Sequence, residues 1–273
     1  MPRSYNAIPE KMALPRIAVV TPTKNRAEHL PFQVEQMKRQ TYSLENITWV
    51  ITDSSSSSEK SWESILADPE MAHHVVYKRL PADTLLGESR NISLDLACKL
   101  DPPPEYILFM DDDDIVCVDR FRITVAAMEG QPEYEVAGCS RILVFLLRGE
   151  SLIEIGSFTD LSGGAVQHAL EPTLAVTCDY ASRHFFDNSD PRGLLGPFLG
   201  QFTTPILPLR AEDVCVIIGH DKSTFDKYQI VNKKAQFNVV RHEPAYGLVR
   251  LWDTWALDTK LRDLFMHAHG SSM

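Results

Sequence analysis

Four consecutive aspartates, Asp111 to Asp114, are the residues whose type and spacing most directly indicate chemistry. They follow YILFM at 106–110, an apolar run typical of a buried strand. Carboxylate oxygens are the ligands that Mg²⁺ and Mn²⁺ prefer. In an extended segment alternate side chains share a face, so Asp111 and Asp113 would point one way and Asp112 and Asp114 the other. A solvated acidic turn that caps the next helix is the alternative, but charge repulsion directly after a buried strand favours a metal site.

The elements around this run are expected to alternate between strands and helices. The predicted strands lie at 17–20, 47–53, 74–80 and 106–110, and the predicted helices at 27–40, 61–71, 87–100 and 118–129. Such alternation is typical of a doubly wound, mostly parallel α/β sheet, in which ligands bind outside the carboxyl ends of the strands. Three strands end in polar clusters, which we expect to meet at one edge: Thr21–Arg26, Asp53–Ser58 and Asp111–Asp114.

The second half of the chain has a less regular pattern. It is interpreted as a hairpin at 134–158, a glycine-bearing loop at 161–170, a strand at 172–181, a Gly- and Pro-rich loop at 188–208, a short helix or strand at 211–220, a strand at 235–242 and a helix at 251–268. We therefore predict a flexible arm at 1–15, a nucleotide-binding half at 16–130, a smaller β and loop region at 131–250, and a C-terminal helix and tail at 251–273.

Charge and hydropathy exclude several classes of partner. The chain has 273 residues, a formal net charge of −10 and a pI near 5.4. Because phosphate binding relies on basic patches, this balance argues against nucleic acid as a partner. The longest apolar runs, such as ILVFLL at 142–147, are too short for a transmembrane segment.

The five cysteines predict free thiols in a reducing compartment. They are odd in number, widely spaced and without a CxxC pair, which favours buried thiols over a zinc site or a disulfide framework. The first 15 residues lack the apolar core of a signal peptide. We therefore expect a cytoplasmic protein, with attachment to a membrane surface left open.

Four short segments resemble those of family 2 glycosyltransferases with the GT-A fold, and they occur in that family's order. They are VVTPTKNR at 19–26, VITDSSSSS at 50–58, GESRN at 87–91 and YILFMDDDDIVCVDRF at 106–121. Each segment is weak alone, but the order and spacing over 16–122 are specific. The resemblance fades between 130 and 210. It implies a GT-A-type, Rossmann-like sheet with a smaller acceptor-side region.

The resemblance assigns the nucleoside of the donor to the first two segments. Thr21, Pro22, Arg26 and Asp53 match the family's nucleoside positions. A carboxylate at Asp53 can accept from a ring N–H of uracil or a similar base. Two alternatives stay open: Thr21 and Pro22 can form a strand-ending turn, and Asp53 can cap the serine loop at 54–58.

The third segment is assigned to the sugar and diphosphate. Arg90 and Asn91 match the family's residues there, and Gly87 would let the backbone approach the ligand closely. The alternative for Arg90 is a solvated helix position or a pair with Glu88 or Asp95.

The fourth segment is assigned to the metal. By resemblance Asp113 is the direct ligand of Mn²⁺ or Mg²⁺, and Asp111 contacts the ribose or reaches the metal through water. Asp112 is a further donor-binding candidate. His242 ends the strand predicted at 235–242 and is proposed as an additional metal ligand, although a lone histidine is more often structural. Arg241 is an alternative partner for the diphosphate.

A carboxylate base completes the implied site. Inverting members of the family use a downstream Glu-Asp pair, which Glu212 and Asp213 match, with Asp213 as the general base and Glu212 in support. The alternative is the acidic start of a helix, where carboxylates suit the helix dipole.

The resemblance thus implies a metal-dependent inverting glycosyltransferase. It would move a sugar from a nucleotide donor, by expectation a UDP-sugar, to a hydroxyl of a glycan or other acceptor. A nucleotidyltransferase is one alternative, but its first loop usually carries glycine, and TPTKNR at 21–26 has none. A non-catalytic sugar-nucleotide-binding protein is the other, and retention of a candidate base argues against it.

Overall fold

The computed structural model describes residues 14–56, 61–148, 151–156, 166–189, 195–220 and 258–270, and the backbone of 238–241. His242, the side chain of Arg241 and nearly all of the predicted N-terminal arm lie outside these residues. All five cysteines lie inside them as free thiols, and Cys139 and Cys215 are buried whereas the other three are only partly buried. Within the described ranges, no helix has the length and apolarity needed to cross a bilayer.

The described chain folds into strands and helices that alternate in its first half. The strands are β1 (Ile17–Thr23), β2 (Ile47–Asp53), β3 (Val75–Arg79), β4 (Tyr106–Phe109), β5 (Ile115–Val116), β6 (Val136–Gly138), β7 (Arg141–Leu146), β8 (Ser151–Gly156), β9 (Ala175–Thr177), β10 (Leu207–Pro208), β11 (Cys215–Gly219) and β12 (Asn238–Arg241). The α-helices are α1 (Leu30–Lys38), α2 (Leu86–Cys98), α3 (Arg120–Glu129), α4 (Cys178–Arg183), α5 (Leu195–Phe198) and α6 (Thr259–His269).

A seven-stranded sheet has the order β10-β6-β9-β4-β1-β2-β3. Strands β4, β1, β2 and β3 run parallel to one another, whereas β9 is antiparallel to both β4 and β6. The apolar residues Ile17 to Val20 of β1 are all buried, as expected of a central parallel strand that is covered on both faces. The prediction of a mostly parallel α/β sheet is confirmed.

A five-stranded sheet with the order β12-β8-β7-β11-β5 packs beside the aspartate run. Strands β7 and β8 form the predicted hairpin. Strand β11 runs parallel to β7 and antiparallel to β5, which begins directly after Asp114. The C-terminal end of β11 therefore approaches the aspartates.

Several segments differ from their predicted structure: the helix expected at 61–71 is a 3₁₀ helix over Trp62–Ala67, and the loop expected at 188–208 contains α5 and β10. The strand expected at 172–181 stops at Thr177, whose side chain accepts a hydrogen bond from the Tyr180 amide at 3.1 Å and starts α4. The segment at 211–220 was predicted as a helix or a strand, and it contains both. A short 3₁₀ helix (Ala211–Asp213) precedes β11.

Candidate functional site

The carboxyl ends of the neighbouring strands β1 and β4 bring polar side chains together. The Thr23 hydroxyl donates to Asp112 at 2.6 Å. Arg26 Nη1 donates to Asp112 Oδ1 at 2.5 Å and to Asp113 Oδ2 at 2.9 Å. The parallel pairing of β1 with β4 positions these groups, because both strands end at the same edge of the sheet.

The guanidinium of Arg26 offsets part of the repulsion within the aspartate run. Its side chain is only 13% exposed. Burial alone would lower its pKa, but the charges of Asp112 and Asp113 raise the pKa of Arg26 above its usual value. Burial raises the pKa of Asp112, and the charge of Asp113 adds to this while Arg26 opposes it. The Arg26 guanidinium thus forms ion pairs with the buried carboxylates of Asp112 and Asp113.

Three aspartates of the run converge in space. In the described part of the chain, Asp111, Asp113 and Asp114 form a group whose potential ligand atoms all lie within 4.8 Å of one another. Asp111 and Asp113 lie together as expected, but Asp114 joins them instead of facing away with Asp112, because residues 112–114 form bends rather than an extended strand. The bends turn Asp114 towards Asp111 and Asp113, whereas Asp112 accepts hydrogen bonds from Thr23 and Arg26. The group offers only hard oxygen ligands, and this chemistry fits Mg²⁺ or Mn²⁺.

Asp114 anchors the run to the second sheet and to α1. Its Oδ1 accepts from the Ile218 amide of β11 at 2.9 Å. Its backbone carbonyl accepts from the amide groups of Gln33 at 3.1 Å and Gln36 at 3.0 Å. These long-range bonds fix the backbone of the aspartate run from two sides.

His220 is a residue of this site that the sequence reasoning missed. Its Nε2 lies 2.8 Å from Asp113 Oδ2 and must donate, since a carboxylate only accepts. Both His220 and Asp113 are buried. The signal in the sequence is slight: His220 is the first strong polar side chain after the apolar strand β11.

The first turns of α2 carry the next predicted residues. Gly87 and Arg90 are buried. Arg90 Nη1 lies 3.4 Å from Glu171 Oε1, and its guanidinium lies over the Phe186 ring, 5.2 Å from the ring centre. The acidic partner of Arg90 seen here is therefore Glu171. Asn91 exchanges hydrogen bonds with the Phe186 backbone at 2.8 Å and 3.0 Å, which ties α2 to the segment after α4.

Glu171 is a second residue that the sequence reasoning missed. It begins a short 3₁₀ helix (Glu171–Thr173) directly before β9. Because β9 is antiparallel to β4, the start of β9 lies beside the end of β4 that leads into Asp111. Burial raises the pKa of Glu171, Arg90 opposes the shift and the charge of Asp111 adds to it. Glu171 is thus a carboxyl group at the same edge as the aspartate run.

Comparison with known proteins identifies the domain that builds this edge. Residues 18–151 match the model of the family described as Glycosyl transferase family 2. The chain carries a family 2 glycosyltransferase domain. The match includes the four segments on which the resemblance was based. No curated protein matches the sequence of the chain.

Solved structures with a similar fold include two glycosyltransferases. The mannosyltransferase PcManGT of Pyrobaculum calidifontis, in complex with GDP-Man and Mn²⁺, is 12% identical, with a TM-score of 0.58 over 98% of this chain and 77% of that chain. S. aureus TarS 1–349 with UDP-GlcNAc is 14% identical, with a TM-score of 0.52 over 94% of this chain and 80% of that chain. Another TarS 1–349 structure is matched over only 60% of its length. At these identities the similarity shows the GT-A fold alone.

The predicted nucleoside residues Thr21 and Pro22 lie in β1. Thr21 is buried, and its hydroxyl accepts from the Trp49 indole at 2.9 Å. Pro22 is half-buried in β1. It is Thr23, two residues after Thr21, whose side chain reaches the aspartate run.

Asp53 lies in a buried network of protein donors. Its Oδ1 accepts from the Ser55 amide at 2.8 Å. Its Oδ2 accepts from the Trp62 amide at 2.9 Å, the Tyr77 hydroxyl at 2.9 Å and Arg79 at 3.3 Å. The Ser55 bond is the loop cap that the sequence left as an alternative. Because Asp53 is 0% exposed, contact with a base would require movement of the surrounding chain.

We expect Asp53→Asn to destabilise the domain. The amide cannot accept every hydrogen bond that the carboxylate accepts, so the free energy of unfolding should fall by about 2 to 4 kcal/mol. Urea denaturation measures this change, with the exposed Asp83→Asn as the control. Unchanged stability together with lost nucleotide binding would assign Asp53 to the base instead.

The structure does not bring Glu212 and Asp213 to the aspartate run. Both residues precede the first residue of β11, whereas the aspartates contact Ile218 and His220 at its other end. At the usual rise per residue, β11 spans about 13 Å. Burial raises the pKa of Asp213, Arg210 opposes the shift, and Glu212 adds to it. A raised pKa suits a base, but the role of Asp213 stays a prediction.

Proposed function

We propose that this chain is a metal-dependent, inverting glycosyltransferase that transfers a sugar from a UDP-sugar to an acceptor hydroxyl. The observation that carries the proposal is the convergence of Asp111, Asp113 and Asp114 at the carboxyl end of β4, within a family 2 glycosyltransferase domain. UDP-GlcNAc in TarS and GDP-Man with Mn²⁺ in PcManGT support a nucleotide sugar and a divalent metal as ligands of the shared fold.

The aspartate group is the proposed metal site. Asp113 and Asp111 would hold the ion, as the sequence resemblance implies, and Asp114 joins them because its ligand atom lies in the same group. The chemistry that Mn²⁺ or Mg²⁺ supplies at such a site is neutralisation of charge on the departing nucleoside diphosphate. Because the chain has a net charge of −10, a bound cation would also offset its repulsion of an anionic donor.

Side chains of the protein would orient both the sugar donor and the aspartates that are proposed to bind the metal. Arg26 and His220 both donate to Asp113 Oδ2 and so restrict its rotation. Arg90 is proposed to lie beside the sugar and diphosphate, with its guanidinium held by Glu171 and the Phe186 ring. Such positioning lowers the entropy cost of reaching the transition state.

The acceptor hydroxyl needs a carboxylate base in a single displacement. Asp213 is the proposed base from the sequence resemblance. Glu171 is a second candidate, favoured by its position at the same edge as Asp111 and by the burial that raises its pKa. A raised carboxyl pKa brings a base closer to the pH at which proton transfer is efficient.

Donor turnover tests the proposed function. With Mn²⁺ or Mg²⁺, one member of a UDP- and GDP-sugar panel should release nucleoside diphosphate, and EDTA should abolish the release. NMR of the transferred sugar should show an inverted anomeric configuration. Pyrophosphate release from a nucleoside triphosphate and a sugar phosphate would indicate a nucleotidyltransferase. Metal-dependent UDP binding without turnover on any acceptor would indicate a binding protein.

A further inference from the structure

Three buried histidines gather behind Asp113. His29 ends the short 3₁₀ helix after β1, His220 follows β11, and His269 is the last residue of α6. Their ring centroids are separated by 5.9 Å between His29 and His220, 4.6 Å between His29 and His269, and 5.2 Å between His220 and His269. All three are at most 4% exposed. Residues far apart in the sequence thus form one histidine cluster.

A hydrogen bond from His220 connects the histidine cluster to the aspartate run. His220 Nε2 contacts Asp113 Oδ2 at 2.8 Å, and Arg26 donates to the same oxygen at 2.9 Å. A side-chain rotation of His220 would break this bond and release one constraint on the Asp113 carboxylate. The rings of His29 and His269 pack against the His220 ring and oppose such a rotation.

Helix α6 holds His269 in this cluster through its packing on α1. Phe265 packs edge to face on Phe32, with ring centres 5.5 Å apart, and lies 4.6 Å from the His269 ring. At the other end of α6, Asp258 caps the Leu261 amide at 3.0 Å and accepts from Arg39 of the chain after α1 at 2.6 Å. Both ends of the helix are therefore fixed on the α1 region.

The cluster does not have the properties of a metal site of its own. In the described chain, the group whose ligand atoms converge consists of aspartates, and no histidine belongs to it. Burial lowers the pKa of His29 to about 4 and that of His269 to about 2, so both rings are neutral near pH 7. Neutral rings can pack beside Arg26 without adding repulsion. The arrangement therefore fits packing and orientation.

We propose that α6 is a positioning element of the aspartate site: His269 packs on His29 and His220, and so keeps His220 donating to Asp113. The C-terminal helix thereby sets the affinity of the site for a divalent cation. This inference rests on the proposed metal-dependent function. His269 is assigned as a positioning residue, since it acts on Asp113 through the His220 ring.

Mn²⁺ binding measured by EPR titration tests the inference in the full chain. His269→Ala should weaken Mn²⁺ binding about 10- to 100-fold, the range seen when residues behind metal ligands are removed. His269→Phe keeps an aromatic ring and should restore most of the affinity. His267→Ala is the matched control, because His267 lies in the same helical turn but is exposed. In turnover assays, saturating Mn²⁺ should return kcat of His269→Ala towards the wild-type value.

The outcomes separate this inference from the proposed function. If the wild type binds Mn²⁺ and His269→Ala binds it equally well, α6 does not position the site, even if the variant melts at a lower temperature. If His269→Ala does not fold, His269→Phe decides: wild-type affinity supports packing as the mechanism, whereas a loss equal to that of His220→Ala contradicts it. A wild-type chain that binds no Mn²⁺ would overturn both proposals.

Discussion

Asp113→Asn should abolish metal-dependent binding of the nucleotide and reduce sugar transfer at least about a hundredfold, which corresponds to about 2.7 kcal/mol of transition-state stabilisation. The physical reason is that asparagine keeps the shape of the side chain but removes the negative charge that a divalent ion requires. The amide oxygen can still accept from Arg26 and His220, so the fold should persist. Calorimetric titration with UDP, with and without Mn²⁺, measures the effect.

The control for this variant is an acidic residue outside the site. Asp119 precedes α3, and its side chain is 36% exposed and contacts Thr41 and Arg122. Asp119→Asn should leave UDP binding and its Mn²⁺ dependence unchanged. If Asp113→Asn also retained undiminished Mn²⁺ dependence, the metal assignment to the aspartate run would be wrong.

The sheet that supports the site could be read from the sequence, because local patterns specify it. Continuous apolar runs such as Ile17 to Val20 predicted central strands, and polar residues after them marked their carboxyl ends. The aspartate run was placed at the correct edge for this reason. Its internal geometry was not predicted, because it depends on Arg26 and on the hydrogen bond from Ile218, both more than 80 positions away.

The residues that the sequence reasoning missed reach the site through strand pairing. His220 approaches Asp113 because β11 is antiparallel to β5, and Glu171 approaches Asp111 because β9 is antiparallel to β4. Neither pairing has a local signature, since antiparallel strands joined by long connections can pair in many orders. The match of Glu212 and Asp213 to the family's Glu-Asp pair, by contrast, carried no information about which end of β11 approaches the aspartates. The position of Asp213 illustrates this limit.

Asp213→Asn and Glu171→Gln should together identify the general base. Loss of a base typically reduces kcat about 10²- to 10⁴-fold, because the acceptor hydroxyl must then lose its proton without help. Nucleotide binding should be retained, since the base acts on the acceptor and, in Glu171→Gln, the amide oxygen can still accept from Arg90. The substitution that gives both effects identifies the residue that acts as the base. The geometry favours Glu171, which lies beside Arg90 at the edge that holds Asp111, over Asp213 at the far end of β11.

The pH dependence of kcat adds a second, independent criterion. A carboxylate base must be deprotonated, so kcat should fall as the pH drops through its pKa. Burial raises the pKa of both Glu171 and Asp213, so this acid limb should lie above the usual carboxyl range for either residue. The limb should disappear from the residual activity of the correct variant and persist in the other. Full activity in both variants would show that a different group deprotonates the acceptor.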